Sequence, residues 1–105
     1  MKRLATLLFT LTTFSLLISA CKKDDKNYEP DCNGPAKTYA LDVKPAITAN
    51  CVSCHSQYNT YNGVKNDAAA IRSSIANGSM PKGKKMSDAD KNNVICWIDA
   101  GAPNN

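Results

Sequence analysis

Hydrophobic and polar residues fall into three regimes along the chain. Leu4 to Ile18 is an uncharged run dominated by Leu, Thr and Phe, preceded by the basic pair Lys2-Arg3. Residues 22–38 carry Lys, Asp, Asn, Pro, Gly and Thr with almost nothing apolar, which predicts a flexible tether. Apolar positions return at helical spacing beyond Tyr39. Val43, Ile47 and Cys51 recur every four residues and predict a helix from Leu41 to Cys51. Asp42 is its expected N-cap, and Pro45 is tolerated in the first turn. A second helix is predicted over Ala68 to Ala76, capped by Asn66 or Asp67. Its Ala residues have high helix propensity, Ile71 and Ile75 form a stripe, and Asn77-Gly78 ends it. Ser87-Asp88-Ala89-Asp90 has the form of a capping box, with Asp90 where Glu or Gln is usual. The helix that follows should run to about Ala100, with Gly101 as its left-handed cap and Pro103 preventing resumption. Val94, Ile95, Trp97 and Ile98 supply its packing face. No strong strand pair is visible, so the expectation is an all-α domain over residues 39–105.

The first regime reads as a targeting segment rather than as part of the fold. Its uncharged stretch of about 15 residues is shorter than the roughly 20 that span a bilayer. The run ends in Leu17-Ile18-Ser19-Ala20-Cys21, with small residues directly before a Cys. This resembles the lipobox of bacterial lipoproteins, in which the Cys is lipidated and becomes the first mature residue. The alternatives are an ordinary signal peptide and a membrane anchor with an incidental Cys. The lipobox reading makes residues 1–20 a signal peptide, Cys21 the lipidation site and residues 21–38 the lipidated N-terminus and tether. Lys22 stands where Asp would resemble an inner-membrane retention signal, so the resemblance implies anchoring in the outer membrane of a bacterial envelope. Lys22-Lys23-Asp24-Asp25 also resembles the charged segment of Bacteroidota lipoproteins, which leaves the periplasmic and cell-surface faces both open.

Removal of the first 20 of 105 residues leaves about 85. That excludes a large enzyme, a second sizeable domain and a polytopic membrane protein. A chain this short buries only about 60–65% of its unfolded surface and often needs a metal, disulfide or cofactor. Both Phe lie in the removed segment, so four Tyr and one Trp are a thin supply for a core, and a large apolar cofactor would make up much of the shortfall. From Cys21 onward 11 Lys and Arg face 9 Asp and Glu, too even a balance for a nucleic-acid-binding face.

The chemistry concentrates in Cys51-Val52-Ser53-Cys54-His55. A C-x-x-C-H string is the attachment signature of c-type haem. Two thiols one helical turn apart can form thioethers with the two porphyrin vinyl groups, and the adjacent His55 can direct an imidazole nitrogen at the iron. Covalent attachment suits an exported protein, because c-type haem is attached outside the cytoplasmic membrane. Three rivals are weaker. A thioredoxin-like motif wants a βαβ context that is absent. A zinc site built on Cys51, Cys54, His55 and one further Cys lacks the usual second pair, since the chain has a single His. A disulfide between Cys51 and Cys54 is the third.

The single His also excludes bis-His ligation within a monomer. Met80, in Asn77-Gly78-Ser79-Met80-Pro81, is the leading sixth ligand and lies 25 residues beyond His55. Gly78 permits close backbone approach and Pro81 restricts the loop. Met86 competes, but it precedes Ser87 directly and is expected to pack against the haem or the last helix. A plain apolar contact is the remaining role for Met80.

These residues together resemble a small mono-haem cytochrome c of class I type, in particular the short lipoprotein cytochromes c of Bacteroidota. The resemblance is carried by Val43-Lys44-Pro45-Ala46-Ile47, the Cys51–His55 motif, Tyr61-Asn62-Gly63-Val64-Lys65, Met80-Pro81-Lys82-Gly83 and Trp97-Ile98-Asp99-Ala100-Gly101-Ala102-Pro103. It implies a compact all-α cytochrome c-like fold around one covalently attached haem, with Val43 and Ile47 meeting Val94, Trp97 and Ile98. It casts His55 as proximal and Met80 as distal ligand. Tyr58, Tyr61 and Arg72 remain open between haem-propionate contacts and plain surface.

With Cys21, Cys51 and Cys54 assigned, Cys32 and Cys96 remain, and an even remainder in an exported protein invites a disulfide. Two free thiols are the alternative. A haem with both axial positions filled exchanges single electrons, so the reading is an envelope-tethered electron shuttle, not an enzyme. Its expected partner is a redox protein or envelope respiratory complex, and the protein itself is expected to be a monomer. Lys82, Lys84 and Lys85 flank Met80 and either steer an acidic partner or simply solvate the loop. A labile or absent sixth ligand would instead give a ligand-binding, sensory or weakly peroxidatic haem protein. A structural or adhesive lipoprotein carrying zinc is the third class.

Overall fold

The first helical segment starts at Thr38, four residues ahead of the expected cap. In the computed structural model, which describes residues 27–105, a π-helical turn Tyr39–Val43 runs directly into α1, Lys44–Asn50. Pro45 is the second residue of α1, directly behind the π turn. Asp42 is therefore not the N-cap. The Thr38 hydroxyl caps instead, accepting from the Leu41 N–H at 3.2 Å. Asp42 reaches back and accepts from the Thr38 N–H at 2.8 Å, so the two side chains cap each other reciprocally. The remaining early donors find the other end of the chain. The Tyr39 N–H donates to the Asn105 side-chain oxygen and the Ala40 N–H to the Asn105 main-chain oxygen, both at 2.9 Å.

A 3₁₀ turn, Ser56–Asn59, is followed by α2, Tyr61–Asn66, and α3, Ala68–Ala76. The sequence predicts α3 with the same bounds but does not predict α2. That short helix depends on two local features. The Thr60 hydroxyl accepts from the Gly63 N–H at 3.1 Å. Gly63 also lies so close to the Gln57 carbonyl that a Cβ would stand 1.8 Å from its oxygen. Only a residue without a side chain permits that approach.

The last helix, α4, spans Asp88–Asp99. Ser87 caps it as expected, accepting from the Asp90 N–H at 3.1 Å. The second half of the predicted capping box is missing, because the Asp90 carboxylate accepts from Asn50 Nδ2 at 3.0 Å and so ties α4 to the end of α1. Gly101, at φ 103°, takes the left-handed position after the helix. Val94, Ile95 and Trp97 are completely buried, and Ile98 is half-buried at the edge of the same cluster. Val43 and Ile47 belong to that cluster, and both the π turn and α1 pack on α4. Met86 is buried within it too. Tyr39 packs between Tyr61 and Trp97, with ring centroids 5.2 and 5.7 Å away, and the Trp97 indole N–H donates to the Pro103 carbonyl at 2.8 Å. All regular elements among the described residues are helical, and none of these helices is long and apolar enough to cross a membrane.

The segment ahead of Thr38 also differs from the expected tether. The Tyr28 N–H donates to the Ala76 carbonyl at 2.7 Å, and its hydroxyl donates to Asn92 Oδ1 at 2.8 Å. Lys91 lies over the Tyr28 ring, 4.5 Å from its centroid. Cys32 and Cys96 form a disulfide with their Cα atoms 5.5 Å apart. Residues 27–32 are thus latched to α3 and α4, and the folded unit begins well before Tyr39. The predicted signal peptide and the lipidation site Cys21 lie outside the described residues.

Candidate functional site

The Cys51–His55 motif begins where α1 runs out. Cys51 is the C-cap of that helix, and its N–H donates to the Ile47 carbonyl. Its own carbonyl accepts from the Cys54 N–H at 3.2 Å and the His55 N–H at 2.9 Å. The motif is curled into a turn by these two bonds. Cys51 is half-buried, Cys54 is exposed, and neither thiol is in a disulfide. Burial pushes the Cys51 thiol pKa up, and the charge of Lys84 partly opposes that shift.

Two adjoining clefts open beside the turn, with volumes of about 100 and 360 Å³. Both are lined by Cys51, His55 and Met80. In the first, these three residues meet Tyr58 and the Ala70, Ile71, Ser74 and Ile75 face of α3. The second continues past Cys54 to Pro81, Lys82 and Lys84. The structure therefore brings Cys51, Cys54, His55 and Met80 to one groove, although 25 residues separate His55 from Met80. The apolar wall of this groove suits an organic cofactor better than a bare ion. Among the described residues, no group of three or more His, Cys, Asp or Glu is arranged to hold a metal ion.

The Met80 loop is tied to the end of α3 by two main-chain donors. The Met80 N–H donates to the Ser74 carbonyl of α3 at 3.1 Å, and the Ser79 N–H donates to Asn77 Oδ1 at 2.8 Å. Gly78, at φ 77°, makes the left-handed turn that leaves α3. Across the groove the Lys84 ammonium donates to the Ala49 carbonyl at 2.6 Å, satisfying one of the last carbonyls of α1. Lys84 is thus both exposed and structurally engaged. Lys82 lines the rim, and Lys85 lies on the other side of Met80 and Pro81. Met86, the competing ligand, lies in the core rather than in the groove shared by His55 and Met80.

Of the three residues left open by sequence, Arg72 pairs with Asp99 at 2.9 Å and the Tyr61 hydroxyl donates to the Ala102 carbonyl at 2.8 Å. Tyr58 alone lines the groove. Its ring stacks on His55, with centroids 5.3 Å apart and planes 28° apart, and its hydroxyl donates to Asp67 at 3.0 Å. Burial and that bond both push the Tyr58 phenol pKa up, so it stays a protonated donor. The sequence contains one clue to this pairing, since Tyr58 follows His55 by three residues. Comparison with protein-family models, curated proteins and solved structures finds no match.

Proposed function

We propose that the chain is a c-type cytochrome that carries single electrons at a bacterial envelope. The observation that carries this reading is the convergence of Cys51, Cys54, His55 and Met80 on one groove walled by Ile71 and Ile75. The donor set fits haem c. Cys51 and Cys54 would hold the porphyrin by thioethers, while the His55 imidazole and the Met80 thioether would be the iron ligands. Haem bound there supplies one-electron exchange between ferric and ferrous iron. The apolar wall of α3 lowers the local dielectric and excludes water. Met80, a soft ligand, favours the ferrous state. The bonds that hold the Met80 loop to Ser74 and to Asn77 favour a fixed sixth ligand over an open site.

The proposed setting is a lipid anchor at Cys21, in the outer membrane and facing the periplasm or the cell surface. The proposed partner is a redox protein or respiratory complex with an acidic docking face toward Lys82, Lys84 and Lys85. Electron-transfer rates with such a partner should fall as ionic strength rises. Rates that are flat with salt would remove the lysines from docking.

The reading is tested by making the full chain in a bacterium that matures c-type cytochromes. Haem should stay with the wild-type polypeptide through denaturation and acidic organic extraction, and the Cys51→Ala, Cys54→Ala double variant should lose it. A wild-type protein that acquires no covalent haem and binds zinc stoichiometrically would replace this reading with the zinc lipoprotein.

A further inference from the structure

Tyr58 lies outside the Cys-x-x-Cys-His string, yet it is the aromatic neighbour of His55 and is held at both ends. At the main chain, its N–H donates to the His55 carbonyl at 3.0 Å within the 3₁₀ turn. Residues three apart on such a turn eclipse one another, which puts the Tyr58 ring over the His55 ring. At the far end of the ring, its hydroxyl is anchored on the Asp67 carboxylate. Asp67 is in turn fixed at the head of α3, where its carbonyl accepts from the Ile71 N–H at 2.9 Å. His55 makes no side-chain capping bond to the turn that it precedes. The flat contact with Tyr58 is therefore a principal constraint on the plane of its imidazole, and it falls within the separation at which aromatic pairs attract.

We infer that Tyr58, braced by Asp67, is a positioning residue that sets the orientation of the His55 imidazole plane; this rests on the haem reading. The brace couples the α2–α3 corner to the ligand, so a change at Asp67 reaches His55 without touching it.

The test uses mature ferric holo-protein and proton NMR of the hyperfine-shifted haem methyl groups, whose ordering reports the orientation of the axial ligand planes. Tyr58→Leu fills space without a flat ring and should change the order of the methyl resonances. Tyr58→Phe keeps the ring and loses the brace, so its shifts should move partway in the same direction. Asp67→Ala removes the acceptor of the Tyr58 hydroxyl and should resemble Tyr58→Phe. Midpoint potentials should change in the same rank order. Wild-type ordering in both Tyr58→Leu and Tyr58→Phe, with haem retained, would overturn the inference. If Tyr58→Leu fails to fold, Tyr58→Phe decides alone: moved shifts support the role and an unchanged pattern rejects it. A wild-type protein without haem would overturn the haem reading and this inference together, which distinguishes that failure from the other.

Discussion

Met80 and His55 line the same groove, but they should respond differently to replacement. With the proposed haem bound, Met80→Ala would remove the axial thioether and leave the attachments through Cys51 and Cys54 in place. That variant should keep its haem, bind carbon monoxide when reduced, and show a lower midpoint potential by potentiometric titration, because a ligand that favours ferrous iron is gone. An unchanged potential would return Met80 to the role of an apolar contact. Trp97 is completely buried and its indole N–H is satisfied by Pro103. Trp97→Ala should cost about 3–5 kcal/mol in urea unfolding. At this scale the Cys-x-x-Cys-His string stands out in the sequence by residue type and spacing, and Met80 by its loop context, and the structure brings them to one groove. The bonds from Tyr58 to Asp67 and from Lys84 to Ala49 were not legible, since the latter joins residues 35 apart that meet only after folding.

Helices of this chain are set by caps and close approaches as much as by apolar periodicity. The bounds of α3 could be read directly, because Ala propensity and the Ile71–Ile75 stripe are both local. α2 could not: it is six residues long, Val64 is its one buried residue, and it depends on Thr60 and on the space left by Gly63. Gly63→Ala should therefore destabilise by at least the 1–3 kcal/mol typical of overpacking, roughly speaking, as seen in thermal unfolding. Ser87→Ala removes the α4 cap and should cost about 1 kcal/mol. The predicted capping box was half right for a physical reason. Asp90 has one carboxylate, and a cross-helix donor at Asn50 takes it. The Arg72 guanidinium links α3 to α4 through Asp99 and holds that carboxyl below its ordinary value of 3.8, chiefly by hydrogen bonding. A depressed carboxyl stabilises above its unfolded pKa and loses that contribution as pH falls through the folded value. Both side chains are 40% exposed, so Asp99→Asn should alter only a small part of the acid unfolding limb.

The whole molecule is closed by contacts between distant parts of the chain. Asn105 caps the π turn, and the latch of Tyr28 and Cys32 covers α3 and α4. Residues 27–32 read as tether in the sequence because they have almost no apolar side chains; hydrogen bonds, a cation–π contact and the expected disulfide at Cys32 hold them. The disulfide pairing itself was legible from the count of cysteines. Cys32→Ser with Cys96→Ser opens a loop of 64 residues' separation and should cost roughly 4 kcal/mol, measured by denaturant unfolding of the protein. The helical class of the fold was legible from periodicity, while the groove required the structure, because its walls come from α3, the Cys51–His55 turn and the Met80 loop. A haem held in this groove by His55 and Met80, as proposed, would declare itself in the visible spectrum of the mature protein in its ferric and ferrous forms, before and after carbon monoxide. A low-spin spectrum with the weak long-wavelength iron–Met band, whose ferrous form the gas leaves unchanged, is predicted. A high-spin spectrum that shifts with carbon monoxide would contradict His/Met ligation and make the iron an open binding site.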